Sequence, residues 1–244
     1  MRRLVAVLVL LGLWEGLSRL GLVDPFFVPP PSRVGEVLVT LFASGTIWPH
    51  LEATFAAALI GLATGLLAGA VLGFVAALVP LVEELLEPVM ILLNAIPRVI
   101  LAPLFVVWLG IGVASKAAVA FVLVSVLMFF AVYSGIKEVD QRLVERIRTL
   151  GGGRWLLVRE VYLPSVTSWI IGNLKVAVGF AFTGAVVGEF VASSRGLGYQ
   201  LSFAQTTYNT ALMLALIVLI MAFVLLIFAL AGRLEKRLLR WRYR

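Results

Sequence analysis

The residue types that carry most enzyme chemistry are scarce in this sequence of 244 residues. It contains no cysteine, so disulfide and thiol chemistry are excluded, and its single histidine, His50, is too few for a histidine-rich metal site. No G-x-x-x-x-G-K-[ST] motif occurs, so the chain has no P-loop for a nucleotide. Paired acids and a nucleophile–base signature are also missing from the sequence. We therefore predict a protein that is not an enzyme, with no catalytic, metal or cofactor-binding residues of its own.

The polar stretch with the clearest pattern lies within residues 136–167 and contains three consecutive glycines. Its first part, DQRLVERIRTL, has helical periodicity. The apolar residues predicted to share one face are Leu143, Ile147 and Leu150, with Val144 beside them. Gly151 follows where a helix C-terminal glycine is expected, and a second amphipathic piece ends at Pro164. The pattern predicts a helix, a glycine hinge, a second helix and a proline stop. Such a helix lies in a membrane interface or fills a groove on a partner.

Composition indicates the surroundings of this polar stretch. The chain is 62% hydrophobic and 14% charged, with a mean hydropathy of +1.08, whereas soluble domains are about half apolar and a quarter charged. The net charge of +7 would suggest nucleic acid in a soluble protein. Here the basic residues flank apolar segments, so membrane topology explains them better. We predict an all-α, polytopic integral membrane protein.

Six segments are long and apolar enough to cross a bilayer, which takes about 20 apolar residues. They are residues 4–20, 53–79, 85–109, 114–135, 169–191 and 210–232. The first resembles a signal peptide, but it lacks a small-residue cleavage site and includes Glu15 and Arg19, so we interpret it as an uncleaved anchor. These two residues lie four apart and can pair on one helix face.

The basic residues predict the orientation. Fourteen of the twenty lie in three groups: before the first span, between the fourth and fifth, and after the sixth. Six spans place all three groups on one side, which the positive-inside rule makes cytoplasmic. We therefore predict a multi-pass protein of the plasma (inner) membrane with both termini and the polar loop in the cytoplasm.

Glycines and prolines mark two of the spans. The second span carries glycines at strict four-residue spacing, which lets another helix approach closely; they are Gly61, Gly65, Gly69 and Gly73. Pro97 and Pro103 interrupt the third span and are expected to kink or unwind it. Unwound backbone in a membrane is tolerated only against protein or a wet cavity, so this region is a candidate pathway wall. Arg98 there must reach water, a headgroup or an acidic partner.

Charged and polar residues within the spans are few. Lys175 lies about 10 Å inside the fifth span at ~1.5 Å per residue; it snorkels or pairs between subunits, or it faces a pathway and attracts an anion. Glu189, near the end of the same span, is a further candidate pathway residue. With so few acids, proton or sodium coupling in a stand-alone secondary transporter or channel is the less favoured alternative. His50 follows Trp48-Pro49 and is expected at the interface.

The polar loop resembles the conserved EAA loop of ABC importer permeases. That pattern is Glu-Ala-Ala, three residues, Gly, nine residues, then Ile-any-Leu-Pro. Here Glu145 is followed six positions later by Gly151, and nine further residues lead to V-Y-L-P ending at Pro164. The departure is Arg146-Ile147 where the family usually has two alanines.

The resemblance extends over most of the chain. FFVPPPSRVGEVL, AIPRVILAPLFVVWLGIG, GNLKVAVGFAFTGAVVGEF and SSRGLGYQL are similar to segments of the nitrate/sulfonate/taurine-type permeases. The resemblance implies the type I ABC importer transmembrane fold. It divides the chain into an N-terminal helix and connection (1–48), a five-helix transmembrane domain with its coupling loop (49–233), and a basic cytoplasmic tail (234–244).

The resemblance also implies a function. The chain would be the permease subunit of an ATP-driven importer and would form the pathway for a solute delivered by an extracytoplasmic binding protein. Nucleic acid would not be a partner. It would form a homodimer in the lipid bilayer and bind two ATPase subunits, which hold the ATP and Mg. The solute would be a small anion (sulfonate or nitrate) or a small heterocyclic nutrient. The residues implied in coupling to the ATPase are Arg142, Leu143, Glu145, Ile147, Leu150, Gly151, Leu163 and Pro164.

Overall fold

The computed structural model describes residues 2–238, and of residues 2–4, 98 and 234–238 it describes the backbone only. The described chain contains helices and no strand. The α-helices are α1 (Arg2–Arg19), α2 (Pro31–Ala43), α3 (Trp48–Leu78), α4 (Pro80–Ala95), α5 (Leu101–Leu109), α6 (Val113–Lys137), α7 (Gln141–Thr149), α8 (Arg154–Leu157), α9 (Leu163–Val191), α10 (Leu197–Thr206) and α11 (Thr210–Leu238). A 3-10 turn, Arg98–Ile100, precedes α5, and a π-helical turn, Val158–Tyr162, joins α8 to α9.

Four of the six predicted spans are single helices long and apolar enough to cross a membrane within the described residues. They are Trp48–Leu78, Val113–Lys137, Arg154–Val191 and Thr210–Arg233. The first predicted span is α1, which carries charged residues at both ends, and the third is divided between α4 and α5. Helix α3 begins at Trp48, five residues before the predicted start, with Pro49 in its first turn. The domain boundaries stay predictions, and residues 239–244 of the basic tail lie outside the described residues.

The interruption of the third span is at Pro97. Helix α4 ends at Ala95, and Ile96 is extended because a proline disfavours the helical conformation of the residue before it. Pro103, by contrast, lies in the first turn of α5 and does not break it, since the early N–H groups of a helix need no partner from the preceding turn. The prediction that both prolines interrupt the span is therefore wrong for Pro103.

Helix α6 forms the centre of the bundle, between α3 and α9. The glycine stripe of α3 lies directly on it: a Cβ added at Gly65 would lie 2.7 Å from the Cβ of Val124, and one at Gly73 would lie 2.5 Å from the carbonyl oxygen of Phe129. Gly61 and Gly69 are equally buried against α6. On the other side of α6, Gly184 of α9 lies against the backbone of residue 120. Small residues thus bring three helix backbones into van der Waals contact.

The N-terminal helices are connected through one carboxylate. Arg19 pairs with Glu15 at 2.5 Å, as their four-residue spacing predicts. The same carboxylate accepts hydrogen bonds from the backbone N–H and the hydroxyl of Ser32, at 2.9 and 2.7 Å. Glu15 therefore links the end of α1 to the start of α2.

Candidate functional site

The loop between α6 and α9 is built on two capped helix ends. Asp140 caps the start of α7, since its carboxylate accepts the backbone N–H of Arg142 at 2.9 Å. At the other end, the N–H of Gly151 donates to the carbonyl of Arg148 and the N–H of Gly152 to that of Ile147, at 3.0 and 2.9 Å. These two bonds form a Schellman motif.

The glycine triplet has three different conformational requirements. Gly151 has φ +79°, the left-handed conformation expected for a helix C-terminal glycine. Gly152 has no room for a side chain, because a Cβ there would lie 2.5 Å from the Cγ2 of Ile147. Gly153 is extended, and nothing lies within 4 Å of its would-be Cβ. The sharp turn after α7 therefore depends on Gly151 and Gly152.

Helix α7 divides its apolar residues between two directions. Val144 is 3% exposed and packs with Leu157 and Val161 of the following helical segment. Leu143 and Leu150 point away from the chain, 51% and 79% exposed. The predicted single apolar face is therefore wrong: Val144 is its buried centre, with Ile147 partly buried beside it. The reason is that α7 packs on the segment after the glycines, which the periodicity of α7 alone does not reveal.

The charged residues of α7 surround the exposed leucines. Arg142, Glu145, Arg146 and Arg148 are all exposed. No ion pair within 4.0 Å involves Glu145 in the described part of the chain, so the pairing with Arg148 considered for an isolated helix is not formed. The outward surface of α7 is thus two leucines within a mixed, mostly basic rim.

The second helix of the loop does not stop at Pro164, which corrects the predicted proline stop. Helix α8, the π-helical turn and α9 run on without a break from Arg154 to Val191. A proline in a regular helix removes one hydrogen bond and clashes with the carbonyl four residues earlier. The carbonyl four residues before Pro164 lies within the π-helical turn, where the helix is wider than a regular α-helix.

Two contacts fasten the loop end of the bundle, where α6 meets α7. The hydroxyl of Ser165 donates to the carbonyl of Gly135 at 2.7 Å. Lys137, the last residue of α6, pairs with Glu83 of α4 at 2.7 Å, and the hydroxyl of Tyr133 donates to the same carboxylate. The hydrogen bonds from Lys137 and Tyr133 hold the pKa of Glu83 below its usual value. The end of α6 from which the loop leaves is therefore attached to α4, the helix that precedes the Pro97 interruption.

At the opposite end, where α9 meets α10, Glu189 is buried at 2% exposure. Its Oε2 accepts the hydroxyl of Thr54 at 2.8 Å and the backbone N–H of Gly198 at 3.0 Å. The hydroxyl of Thr54 in turn accepts the N–H of Leu197 at 2.9 Å. A side chain at Gly196, whose φ is +123°, would overlap the carboxylate. Glu189 thus joins α9, α3 and the start of α10.

His50 belongs to the same end of the bundle. Its Nδ1 accepts the backbone N–H of Gly196 at 3.0 Å, and its Nε2 lies 2.8 Å from the amide nitrogen of Gln200. The ring also stacks on Tyr199, with 5.9 Å between centroids. The residue predicted as merely interfacial is half-buried and supports the segment that leads into α10.

The remaining candidate pathway residues lie apart from one another. Pro97 is exposed beside the 3-10 turn, and the side chain of Arg98 lies outside the described part of the structure. Lys175 is exposed on α9, with its Nζ 5.4 Å from the ring centroid of Phe228 on α11. It lines a groove of 440 Å³ that includes Thr183. Among the candidates whose side chains are described, the structure therefore does not bring Pro97, Lys175 and Glu189 into one site.

Several residues at the opposite end were missed from the sequence. Thr54 and Lys116 are buried at 0% and 3% exposure, yet each looks like an ordinary polar interruption of an apolar span. The closely spaced glycines of SSRGLGYQL were the one available signal for the tight contact around Glu189. On the loop side, Trp155 is 74% exposed and was also overlooked.

Comparison with known proteins gives consistent matches. Residues 65–240 match the family model described as "Binding-protein-dependent transport system inner membrane component". The riboflavin transport system permease protein RibX of Chloroflexus aurantiacus is 33% identical over 97% of this chain and 88% of its own length. The taurine transport system permease protein TauC of Escherichia coli is 30% identical over 96% and 86%. A chain of an inward-facing MetNI methionine ABC transporter structure shares the fold, with a TM-score of 0.61 and 23% identity over 78% of this chain and 93% of that one.

Proposed function

Because this chain belongs to the family of binding-protein-dependent transport system inner membrane components, we propose that its α6–α9 loop is the contact through which a cytoplasmic ATPase drives import of a small solute. The chain is a permease subunit of an ABC importer, a transport component rather than an enzyme. The proposal concerns how this permease is coupled, which partners it binds and what it carries.

The observation that supports the loop as the coupling contact is that α7 has one buried and one exposed apolar side. Val144 packs against the following helical segment of the permease, while the side chains of Leu143 and Leu150 are exposed. An exposed apolar pair with a charged rim suits a groove on a protein partner. Because α7 is fixed at both ends, by Asp140 and by the glycine turn, movement of a docked partner is transmitted to α6 and α9.

The proposal includes three kinds of partner, and membership of the family supports the ATPase and the binding protein. ATPase subunits bind to the loop end of the permease, which faces the cytoplasm. These subunits, not the permease, bind ATP and Mg. A solute-binding protein docks at the opposite, extracytoplasmic end, and a second copy of the permease completes the pathway. Coupling here means that closure of the ATPase subunits stabilises one conformation of the spans through the α7 contact. That conformation stabilises the closed ATPase by the same free energy.

The solute is a small anion such as a sulfonate, or a small heterocyclic nutrient. Relatives named for taurine and aliphatic sulfonates support the first, and those named for riboflavin and formylaminopyrimidine support the second. The interrupted third span at Pro97 and Arg98, together with Pro103, is the candidate wall of its pathway.

The test is capture of the ATPase subunit by tagged permease solubilised from membranes. Leu150→Glu places a charge in the centre of the proposed contact and is expected to abolish capture while the permease stays in the membrane. Leu20→Glu is the matched control, since Leu20 is 77% exposed against 79% for Leu150 but lies beyond the far end of α1. Equal capture by both variants would remove the loop as the coupling contact.

A further inference from the structure

A cavity of 300 Å³ opens at the end of the bundle opposite the α7 loop. It lies between the start of α3, the start of α6 and the end of α9, and the segment before α10 closes one side. Its charged lining residues are Glu52, Lys116, Glu189 and Arg195. If the proposed function holds, this is the mouth that receives solute from outside the cell.

Lys116 is the unusual member of this lining. Its side chain is buried at 3% exposure, although lysine is almost never fully buried unless its charge is paired. The ammonium carries three donors, and the carbonyl of Ile111 accepts one of them. Among the carboxylates whose side chains the structure describes, none lies within 4.0 Å of it. Lys116 therefore contributes a buried cation to the cavity lining, with one of its three donors engaged by a backbone carbonyl.

The two acids of the lining do not satisfy that cation. Glu189 accepts the Thr54 hydroxyl and the Gly198 N–H through its Oε2, so it is engaged in holding α10. Glu52 is exposed at the rim. The two acids balance the formal charges of Lys116 and Arg195, and Glu189 attracts the ammonium through space, but neither acid lies within 4.0 Å of Lys116.

Two further features of the cavity favour an anion. The N-terminus of α6 lies in its wall through Gly112 and Val113, and no side chain in the described structure caps it. The first N–H groups of a helix and the positive end of its dipole attract negative charge. Arg195 and the hydroxyl of Ser194 line the same cavity. Buried ammonium, helix terminus and guanidinium thus converge on one volume.

We propose that this cavity binds the anionic head group, a sulfonate or a carboxylate, of a small solute, with Lys116 as its principal counter-charge. The inference rests on the proposed function and deepens it, because it selects the anion over the neutral heterocycle as the ligand of this site. A neutral solute of similar size gives the buried ammonium no ion pair at hydrogen-bonding distance, whereas an anionic oxygen accepts charge-assisted hydrogen bonds from it.

The experiment is equilibrium dialysis of radiolabelled ethanesulfonate against the permease assembled with its ATPase subunits in nanodiscs, at constant ionic strength and without the solute-binding protein. Saturable binding is expected, and ethyl methyl sulfone, a neutral molecule of similar shape, should not compete. Lys116→Met should weaken binding ~10-fold or more, the usual effect of removing a hydrogen bond to a charged group. Arg33→Gln removes a cation of α2 that does not line the cavity, and this variant should bind as wild type does.

Absence of saturable binding in the assembled wild-type complex overturns the inference, as does equal competition by the sulfone or unchanged binding by Lys116→Met. If Lys116→Met does not assemble, Arg195→Gln decides, because Arg195 is exposed and its replacement should still weaken binding. Failure of wild-type permease to capture its ATPase would instead contradict the proposed function. The dialysis measurement therefore tests the anion site, and the capture measurement tests the proposed function.

Discussion

The hydroxyl of Thr54 on α3 and the carboxylate of Glu189 on α9 form a buried hydrogen bond of 2.8 Å between residues 135 positions apart. The same hydroxyl accepts the N–H of Leu197, so one side chain connects two long helices and the start of α10. A buried carboxylate is costly unless its acceptors are satisfied. This contact is therefore expected to stabilise the whole end of the bundle at which the Lys116 cavity opens.

Replacing Thr54 tests that expectation. Thr54→Val keeps the shape but removes the hydrogen bonds of the hydroxyl to Glu189, Leu197 and the carbonyl of His50. It should lower the free energy of unfolding by about 1–3 kcal/mol, the cost of leaving a buried polar group unsatisfied. Thr54→Ser keeps the hydroxyl and should retain most of the wild-type free energy of unfolding. The control is Thr64→Val, because the exposed Thr64 hydroxyl bonds only to its own helix backbone. Thermal unfolding in detergent measures the difference, and equal losses for Thr54→Val and Thr64→Val would contradict the role.

The glycine triplet predicts a graded series of alanine variants. Gly151→Ala should cost on the order of 1 kcal/mol because of its positive φ. Gly152→Ala should be worse, since its Cβ would meet Ile147 and displace α7. Gly153→Ala should be tolerated. Solute-stimulated ATP hydrolysis by the assembled importer measures the effect. The predicted ranking of the three variants is contradicted if Gly153→Ala loses the most hydrolysis.

Glu145 is predicted to contact a basic residue of the ATPase, because its exposed carboxylate has no ion pair in the described permease. Glu145→Lys should leave the protein in the membrane and reduce ATPase capture, stimulated hydrolysis and transport together. Glu138→Lys makes the same charge change on an exposed residue between α6 and α7 and serves as control. Wild-type capture and transport by Glu145→Lys would show that this carboxylate plays no part in coupling.

Lys175 tests the alternative of an anion role away from the mouth. Its exposure and its cation–π contact with Phe228 indicate a side chain attached to α11 rather than aimed at buried solute. Lys175→Met should therefore lower transport only modestly in a complex that assembles normally. Collapse of transport with intact assembly would instead place the anion pathway along the 440 Å³ groove beside α11.

The orientation can be tested by labelling with a membrane-impermeant thiol reagent, since the chain has no cysteine of its own. Gly153→Cys and Ser194→Cys place thiols near opposite ends of the continuous helix Arg154–Val191. Gly153 is chosen because its added Cβ meets nothing within 4 Å. Ser194→Cys should label in intact cells and Gly153→Cys only in inverted vesicles. Labelling of both from one side would contradict the predicted orientation.

Features governed by local or one-dimensional rules were predictable from the sequence. Hydropathy indicated a membrane protein and four of its continuous spans, because transfer of a helix to lipid depends on the sum of its residues. Glycine spacing indicated a close helix contact, and the position of Gly151 indicated a left-handed helix end, since both depend on neighbours within a turn or two. The loop spacing and the similar segments indicated the permease family.

Only the tertiary structure decided which side chains meet. Val144 is buried on α7 because α8 folds back on it, and the helix continues through Pro164 because a π turn accommodates the ring. Thr54 and Glu189 become partners only when the glycines of α3 and α9 let both helices pack closely on α6. The same packing encloses Lys116. Burial and pairing are properties of contacts between distant segments, and no periodicity within one segment specifies them.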